Sequence, residues 1–354
     1  MSRNEKAFVI LIPGFPENEA DGNCLPFHQQ FVLSLKDLYP QLNIIILGFQ
    51  YPYFKKTYKW HDVTVISFDG RNKGGLSRLF LRRKLIRALQ DIHDKNKIAG
   101  LLSFWYGECA WVGKRFADKY KLPHYCWLMG QDAKKENKYP GRVPLKADEL
   151  IALSDFLQDE LERNHGVRPR YVIPPGIDNS QYNNISPGKD IDILATGSLI
   201  PLKQFEIFVE VVAEVKKQLP AVKAMLIGNG PERKKLQNLI AKYELEKNIT
   251  LTGELPHPEV LEWMQRTKVF LHPSSYEGFG VVSLEALYGG AAVISFVKPM
   301  KRDIKNWHMV NTKEEMSQMT SGLLHDPGID YIPVIPFTLS DTVRAVARLF
   351  NYAE

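Results

Sequence analysis

Short apolar runs alternate with amphipathic stretches along almost the whole chain, and this alternation restricts the fold more than any other feature. In the first half, strand candidates at 7–12, 43–48, 63–68, 99–104, 124–128, 149–153 and 170–173 are separated by helical patterns at 26–38, 77–94, 109–120 and 154–164. Pro174-Pro175-Gly176-Ile177-Asp178 interrupts the pattern, and a polar stretch continues to Asp190. A second series starts at Ile191, with strands at 191–196, 222–227, 249–252, 268–271 and 291–295 and helices at 204–218, 231–244, 258–265 and 280–288. Such alternation predicts parallel sheets covered by helices on both faces. At 354 residues the chain exceeds what one core usually supports. Two doubly wound α/β domains are therefore expected, 1–185 and 186–335, with 336–354 as a C-terminal helix able to pack back on the first. Ligands of such sheets collect at the carboxyl ends of the strands, so a cleft between two facing domains is the expected site.

Charge and cysteine usage narrow the function class. Residues 1–185 hold 27 Lys and Arg against 20 Asp and Glu, whereas the remainder holds 19 against 20. Much of the excess lies between Arg71 and Arg87, on a pattern that reads as a basic amphipathic helix over 77–94 with Leu76, Leu79, Phe80, Leu85, Ile86 and Leu89 as its apolar side. That helix either packs on the sheet with a solvated cationic face or meets an anionic membrane surface. No recognisable nucleic-acid module accompanies the charge, so nucleic acid is not an expected partner. Cys24, Cys109 and Cys126 have neither metal nor redox spacing and read as reduced thiols of a cytoplasmic protein. The apolar run 7–12 is too short to span a membrane and reads as a first strand.

The chemistry-bearing residues cluster after the strands of the second half. Ala195-Thr196-Gly197-Ser198-Leu199 ends a strand and is followed by Lys203; Leu226-Ile227-Gly228-Asn229-Gly230 and Leu251-Thr252-Gly253-Glu254-Leu255 end two more. Gly228 and Gly230 fit turn glycines and ligand contacts equally well. In Glu277-Gly278-Phe279-Gly280-Val281-Val282-Ser283-Leu284-Glu285, one acid sits in a tight loop and the other lies about a turn and a half into a helix. Free amides at a helix start attract an anion. Glu285, flanked by Leu284, Ala286 and Leu287, is expected to be part-buried and to need a partner. The two carboxylates and the helix start point to a nucleotide diphosphate carrying a sugar. Asp190-Ile191-Asp192 stands at a strand start, away from the loops that follow the strands, and no metal site is expected.

Taken in order, these segments resemble retaining glycosyltransferases of family four, which have the GT-B fold of two Rossmann-like doubly wound domains facing across a cleft. The resemblance extends from the N-terminal loop through Ile173-Pro174-Pro175-Gly176-Ile177-Asp178 to about Ser295. It implies a metal-independent transferase that needs no cofactor and takes a UDP- or GDP-linked sugar as donor substrate. It further implies that Glu277 contacts the donor sugar and Glu285 the ribose hydroxyls, while amides of Phe279, Gly280 and Val281 hold the diphosphate. Lys203 would neutralise the leaving phosphate, the base would rest by Glu254 and Leu255, and Gly22 would admit the diphosphate from the N-terminal side. On the acceptor side stand Glu108, which could equally be a helix N-terminal acid, and Asp132. The acceptor would be a glycan or a lipid-linked molecule, met by a protein peripheral to the membrane.

Three positions depart from the family pattern. Ser198 stands where an arginine usually faces the phosphate, so it supplies a hydrogen bond but no charge. Met129 takes the place of a histidine, and Lys298-Pro299-Met300-Lys301-Arg302-Asp303 replaces the usual Pro-Glu-Ile turn. Ser198 and Met129 keep in view a catalytically weakened nucleotide-sugar-binding protein. The shared two-domain architecture keeps in view a nucleotide-sugar epimerase or hydrolase, which would require an acid or base near the sugar ring that Met129 does not supply.

Overall fold

In the computed structural model of the chain, residues 6–182 and 188–352 are described. The chain divides into two compact units. One runs to Pro175 and takes back the segment from Leu339 onward, and the other is Gly176–Thr338. The division thus falls at the prolines themselves, ahead of the expected boundary at 185, which lies among residues outside the described set.

The first unit holds an eight-stranded sheet. Its strands are β1 (Ala7–Gly14), β2 (Asn43–Tyr51), β3 (Thr57–Trp60), β4 (Val63–Ser67), β5 (Ile98–Phe104), β6 (His124–Trp127), β7 (Leu150–Ala152) and β8 (Tyr171–Val172). Their spatial order is β3-β4-β2-β1-β5-β6-β7-β8, parallel except for β3, which pairs antiparallel with β4 as an edge hairpin. The central strand β1 is buried along nearly its whole length, as expected of a parallel strand covered on both faces. The helices are α1 (Pro26–Leu38), α2 (Gly75–Asn96), α3 (Glu108–Tyr120), the short α4 (Tyr139–Arg142) and α5 (Asp155–His165).

In the second unit six strands, β9 (Ile191–Thr196), β10 (Ala224–Ile227), β11 (Ile249–Gly253), β12 (Thr267–His272), β13 (Ala292–Ser295) and β14 (Trp307–Met309), form a parallel sheet in the order β11-β10-β9-β12-β13-β14. Helices α6 (Phe205–Lys216), α7 (Arg233–Lys242), α8 (His257–Gln265), α9 (Val281–Tyr288) and α10 (Lys313–His325) connect and cover it. The last helix, α11 (Leu339–Leu349), belongs to the first unit. Beyond its end, Phe350 packs edge-on against Phe8 and Tyr125 at 4.8 and 4.9 Å.

One expectation requires correction. The side of α2 that packs on the sheet is Leu81, Leu85, Leu89 and Ile92. Leu76, Leu79 and Phe80 are 73%, 51% and 56% exposed. The helix carries two apolar stripes, and the sheet takes the one that runs its full length.

Candidate active site

Three loops at the carboxyl ends of β9, β10 and β11 are laced together by their backbones. Gly197 N–H donates to Ile227 O at 3.0 Å, Leu199 N–H to Asn229 O at 2.9 Å, and Gly228 N–H to Gly253 O at 2.8 Å. Gly228 has φ 141°, and a Cβ there would lie 1.9 Å from Gly197 O. No side chain fits at that approach. Packing alone therefore accounts for Gly228, the first of the two glycines whose role the sequence left open.

The same scaffold brings Lys203 to Glu277 across 74 residues of sequence. Pro201–Lys203 is a single 3₁₀ turn. Leu202 O accepts from both the backbone N–H and the hydroxyl of Ser275, at 3.1 and 3.2 Å, tying the turn to the loop after β12. Lys203 Nζ then donates to Glu277 Oε2 at 2.6 Å, with both side chains about one-fifth exposed at 19% and 23%. His272, the last residue of β12 and buried, places Nε2 at 3.2 Å from the same oxygen. Burial pushes the His272 pKa down, so the ring is neutral at physiological pH and donates from Nε2. Burial alone would raise Glu277, but the His272 hydrogen bond and the Lys203 charge hold it down at about 2. Glu277 is thus an ionised carboxylate with one fixed cation and one neutral donor.

Gly280 caps α9 with φ 85°. A Cβ there would meet Glu277 Cγ at 3.3 Å and Ser283 Oγ at 3.4 Å, so the glycine keeps the carboxylate beside the helix start. The Phe279 ring is buried against Trp307 and Phe337 at 6.0 and 5.8 Å, which leaves its backbone as the part able to meet a ligand. Val281 is half-buried at the first helical position, where amides lack partners within the helix.

Glu285 is 9% exposed and does have a partner: His257 Nε2, at the start of α8, lies 2.8 Å from Oε1. Burial works against a charged imidazole, but the Glu285 carboxylate outweighs it and raises His257 above its ordinary value. Exposed Glu254 and half-buried Leu255 occupy the short loop that leads into His257. Ser198 is exposed. The sequence reading passed over His272 and His257, since a histidine next to a proline carries no spacing signal. It also passed over Arg233, whose Nη1 is buried without a hydrogen bond and whose Nη2 donates to Leu251 O at 3.4 Å beside Gly253.

In the first unit, Glu108 and Asp132 line one cavity of about 440 Å³ at the carboxyl ends of β1, β2 and β5, together with Gln50, Trp105, Asn137 and Tyr139. Glu108 opens α3 and is held by Arg82, by Arg78 at 3.8 Å and by the Tyr139 hydroxyl at 2.5 Å. Asp132 is buried and accepts from the Tyr106 and Met129 amides at 2.8 and 2.7 Å. Burial lifts its pKa to about 7, only partly opposed by those two amides. Gly22 is exposed in open space, and nothing in its own unit requires a glycine there. Asp190 pairs with Arg266 and Asp192 with Lys268, and among the described residues no group of three His, Cys, Asp or Glu is placed to hold a metal.

Comparison with known proteins identifies what this scaffold is. Residues 177–308 match the family described as glycosyl transferases group 1. An uncharacterized glycosyltransferase of Methanocaldococcus jannaschii is 28% identical over 190 residues, 52% of this chain and 52% of that protein. The gpi3 subunit of phosphatidylinositol N-acetylglucosaminyltransferase from Schizosaccharomyces pombe is 32% identical over 127 residues, 35% of this chain and 28% of that one. The chain thus spans about half the length of the first relative and little more than a quarter of the second. Among solved structures, sucrose-phosphate synthase of Thermosynechococcus elongatus matches at TM-score 0.72 and 19% identity, over 98% of this chain and 95% of the other. Anabaena HepE in complex with UDP and glucose matches at TM-score 0.67 and 16% identity, over 97% and 95%. Residues 177–308 are thus similar to the glycosyl transferases group 1, and the chain has the GT-B fold of two Rossmann-like units.

Proposed function

We propose that the chain moves a sugar from a nucleotide-diphosphate donor to a glycan or lipid-linked acceptor, with retention at the anomeric carbon. The carrying observation is the Glu277 carboxylate, held ionised between Lys203 and His272 at the start of α9. Breaking a sugar–diphosphate bond builds negative charge on the leaving oxygen and positive charge on the sugar carbon. Lys203 and the amides of Phe279, Gly280 and Val281 stabilise the former, which is usually the largest catalytic effect. Glu277 accepts from the sugar hydroxyls and faces the developing cation. The Lys203 ammonium has three protons, so it can keep Glu277 while meeting a phosphate oxygen.

Glu285 takes the ribose hydroxyls, sharing its carboxylate with His257, and the base rests by Glu254 and Leu255. Ser198 adds a hydrogen bond to the phosphate side. Retention, the absence of a metal requirement and these residue roles are supported by the resemblance to family four. A UDP-linked donor is favoured because HepE, which shares the fold, was solved with UDP and glucose. The acceptor is assigned to the 440 Å³ cavity, whose amide and aromatic lining suits a hydroxyl-bearing ring. There Glu108 and Asp132 position the walls, because each is already engaged by protein groups. The reading places the protein in the cytoplasm, peripheral to the membrane.

The test is incubation with UDP- and GDP-sugars, following nucleotide release with and without candidate acceptors. Acceptor-dependent release is expected. Release that ignores acceptor would make the protein a hydrolase, and saturable nucleotide-sugar binding without turnover would make it a binding protein weakened by Ser198 and Met129.

A further inference from the structure

The outward side of α2 has no structural task in its own unit. A helix of 3.6 residues per turn puts positions 76, 80, 83 and 87 on one face, opposite the buried Leu81, Leu85, Leu89 and Ile92. That face begins with Leu76, Leu79 and Phe80, exposed by 73%, 51% and 56%. It continues into exposed Arg83 and Arg87, flanked by Lys84, and covers roughly 16 Å of helix from 76 to 87. From Arg71 to Arg87 there are seven Lys and Arg and no Asp or Glu. Among the described residues, Arg83, Lys84, Arg87 and the neighbouring Arg115 of α3 form no ion pair. Beside the stripe a groove of about 630 Å³ runs between α2 and α3, with Trp111 as its floor under the guanidinium groups of Arg82 and Arg115 at 4.0 and 4.7 Å.

We infer that the outward face of α2, with the groove it shares with α3, is a docking surface for an anionic lipid membrane. The inference deepens the peripheral localisation proposed above, resting on that reading while standing apart from the donor chemistry. Charge complementarity selects the occupant: unpaired guanidinium groups attract lipid phosphates, while three large apolar side chains on the same stripe enter the acyl boundary. Arg83, Arg87 and Arg115 seat headgroup phosphates, for which guanidinium offers paired donors, and Trp111 lies at headgroup depth, where its amphipathic ring is at home. A soluble polyanion would use the arginines but leave Leu76, Leu79 and Phe80 in water.

The full chain is sedimented with vesicles of phosphatidylcholine alone and of phosphatidylcholine with phosphatidylglycerol, at low and high salt. Binding is expected only with the anionic lipid, and it weakens in salt. The pair Arg83→Glu/Arg87→Glu and the pair Leu76→Ser/Phe80→Ser should each lower it by about tenfold or more. Unchanged circular dichroism and UDP binding show that these exposed substitutions leave the fold and the donor side intact, so loss of vesicle binding and loss of donor chemistry are read separately. Equal binding to neutral vesicles, or full binding by either pair, overturns the inference. Loss confined to the charge pair likewise overturns it, in favour of a soluble polyanion.

Discussion

Glu277 and Asp132 are two carboxylates in comparable places whose pKa values move in opposite directions. Each stands five residues past the end of a parallel strand, Glu277 after β12 and Asp132 after β6. Each loses hydration, which by itself raises a carboxyl pKa. Asp132 is answered only by two backbone amides and rises to about 7. Glu277 is answered first by the neutral His272 donor and then by the Lys203 ammonium, and falls to about 2. Two amide hydrogen bonds only partly offset the burial of Asp132, whereas the His272 hydrogen bond and the Lys203 charge together outweigh that of Glu277. The first arrangement makes a brace between loops, and the second makes a group that can face a developing cation.

Glu277→Gln keeps the shape of the side chain and removes its charge. Turnover should fall by about a thousandfold or more, roughly 4 kcal/mol of transition-state stabilisation, with the circular dichroism of the folded protein unchanged. An unaffected rate would remove Glu277 from the chemistry. Lys203→Ala should lower kcat by about a hundredfold, and Lys203→Arg should restore only part of it because a planar fork cannot replace a point charge at this distance. Stopped assays at saturating donor separate this from a change in KM.

At the brace, Asp132→Ala should cost about 2 kcal/mol of stability by leaving two buried amides unsatisfied, measured as a shift in urea midpoint. Asp132→Asn keeps an acceptor oxygen and isolates the proton. Because Asp132 is raised from 3.8 to about 7 when folded, its stabilising contribution is full below 3.8 and is lost as pH rises through 7. Asp132→Asn should therefore gain stability relative to the parent as pH rises from 3.8 to 7. Glu277, lowered from 4.5 to about 2, has the opposite sign: its contribution is present above 4.5 and is lost as pH falls toward 2. Glu277→Gln should flatten that acid limb. The smallest effect belongs to His257→Ala, which frees Glu285 of its hydrogen bond and should change donor KM by several-fold, about 1 kcal/mol, while kcat stays within twofold.

Much of this was legible from residue order. The alternation gave nearly every strand of both sheets, because burial on two faces writes a continuous apolar run into each parallel strand. The edge strand β3, Thr57-Tyr58-Lys59-Trp60, was missed because an edge carries no such run. Helix α10 was missed although its signal was present. Thr312 caps it by accepting from Glu315 N–H at 3.1 Å, and Glu315 reaches back to Asn311 N–H at 2.7 Å, the pattern of a threonine three residues before a glutamate. On α2 the periodicity allowed two apolar stripes, and only contact with the sheet showed which one is buried. At the site, the glycines, the acids and Lys203 could be picked out by order and spacing. Their histidine partners could not, since a hydrogen bond between His257 and Glu285 spans 28 residues and leaves no local trace.

Residue order sets the two α/β units, the strand-end loops and the residue types available there, because periodicity and glycine placement act over a few neighbours. Which of those residues carry charge is settled only once the chain has folded. The lowered pKa of Glu277 and the raised pKa of Asp132 depend on lost water and on partners brought from elsewhere in the fold, and desolvation energies exist only once the chain has closed around the group.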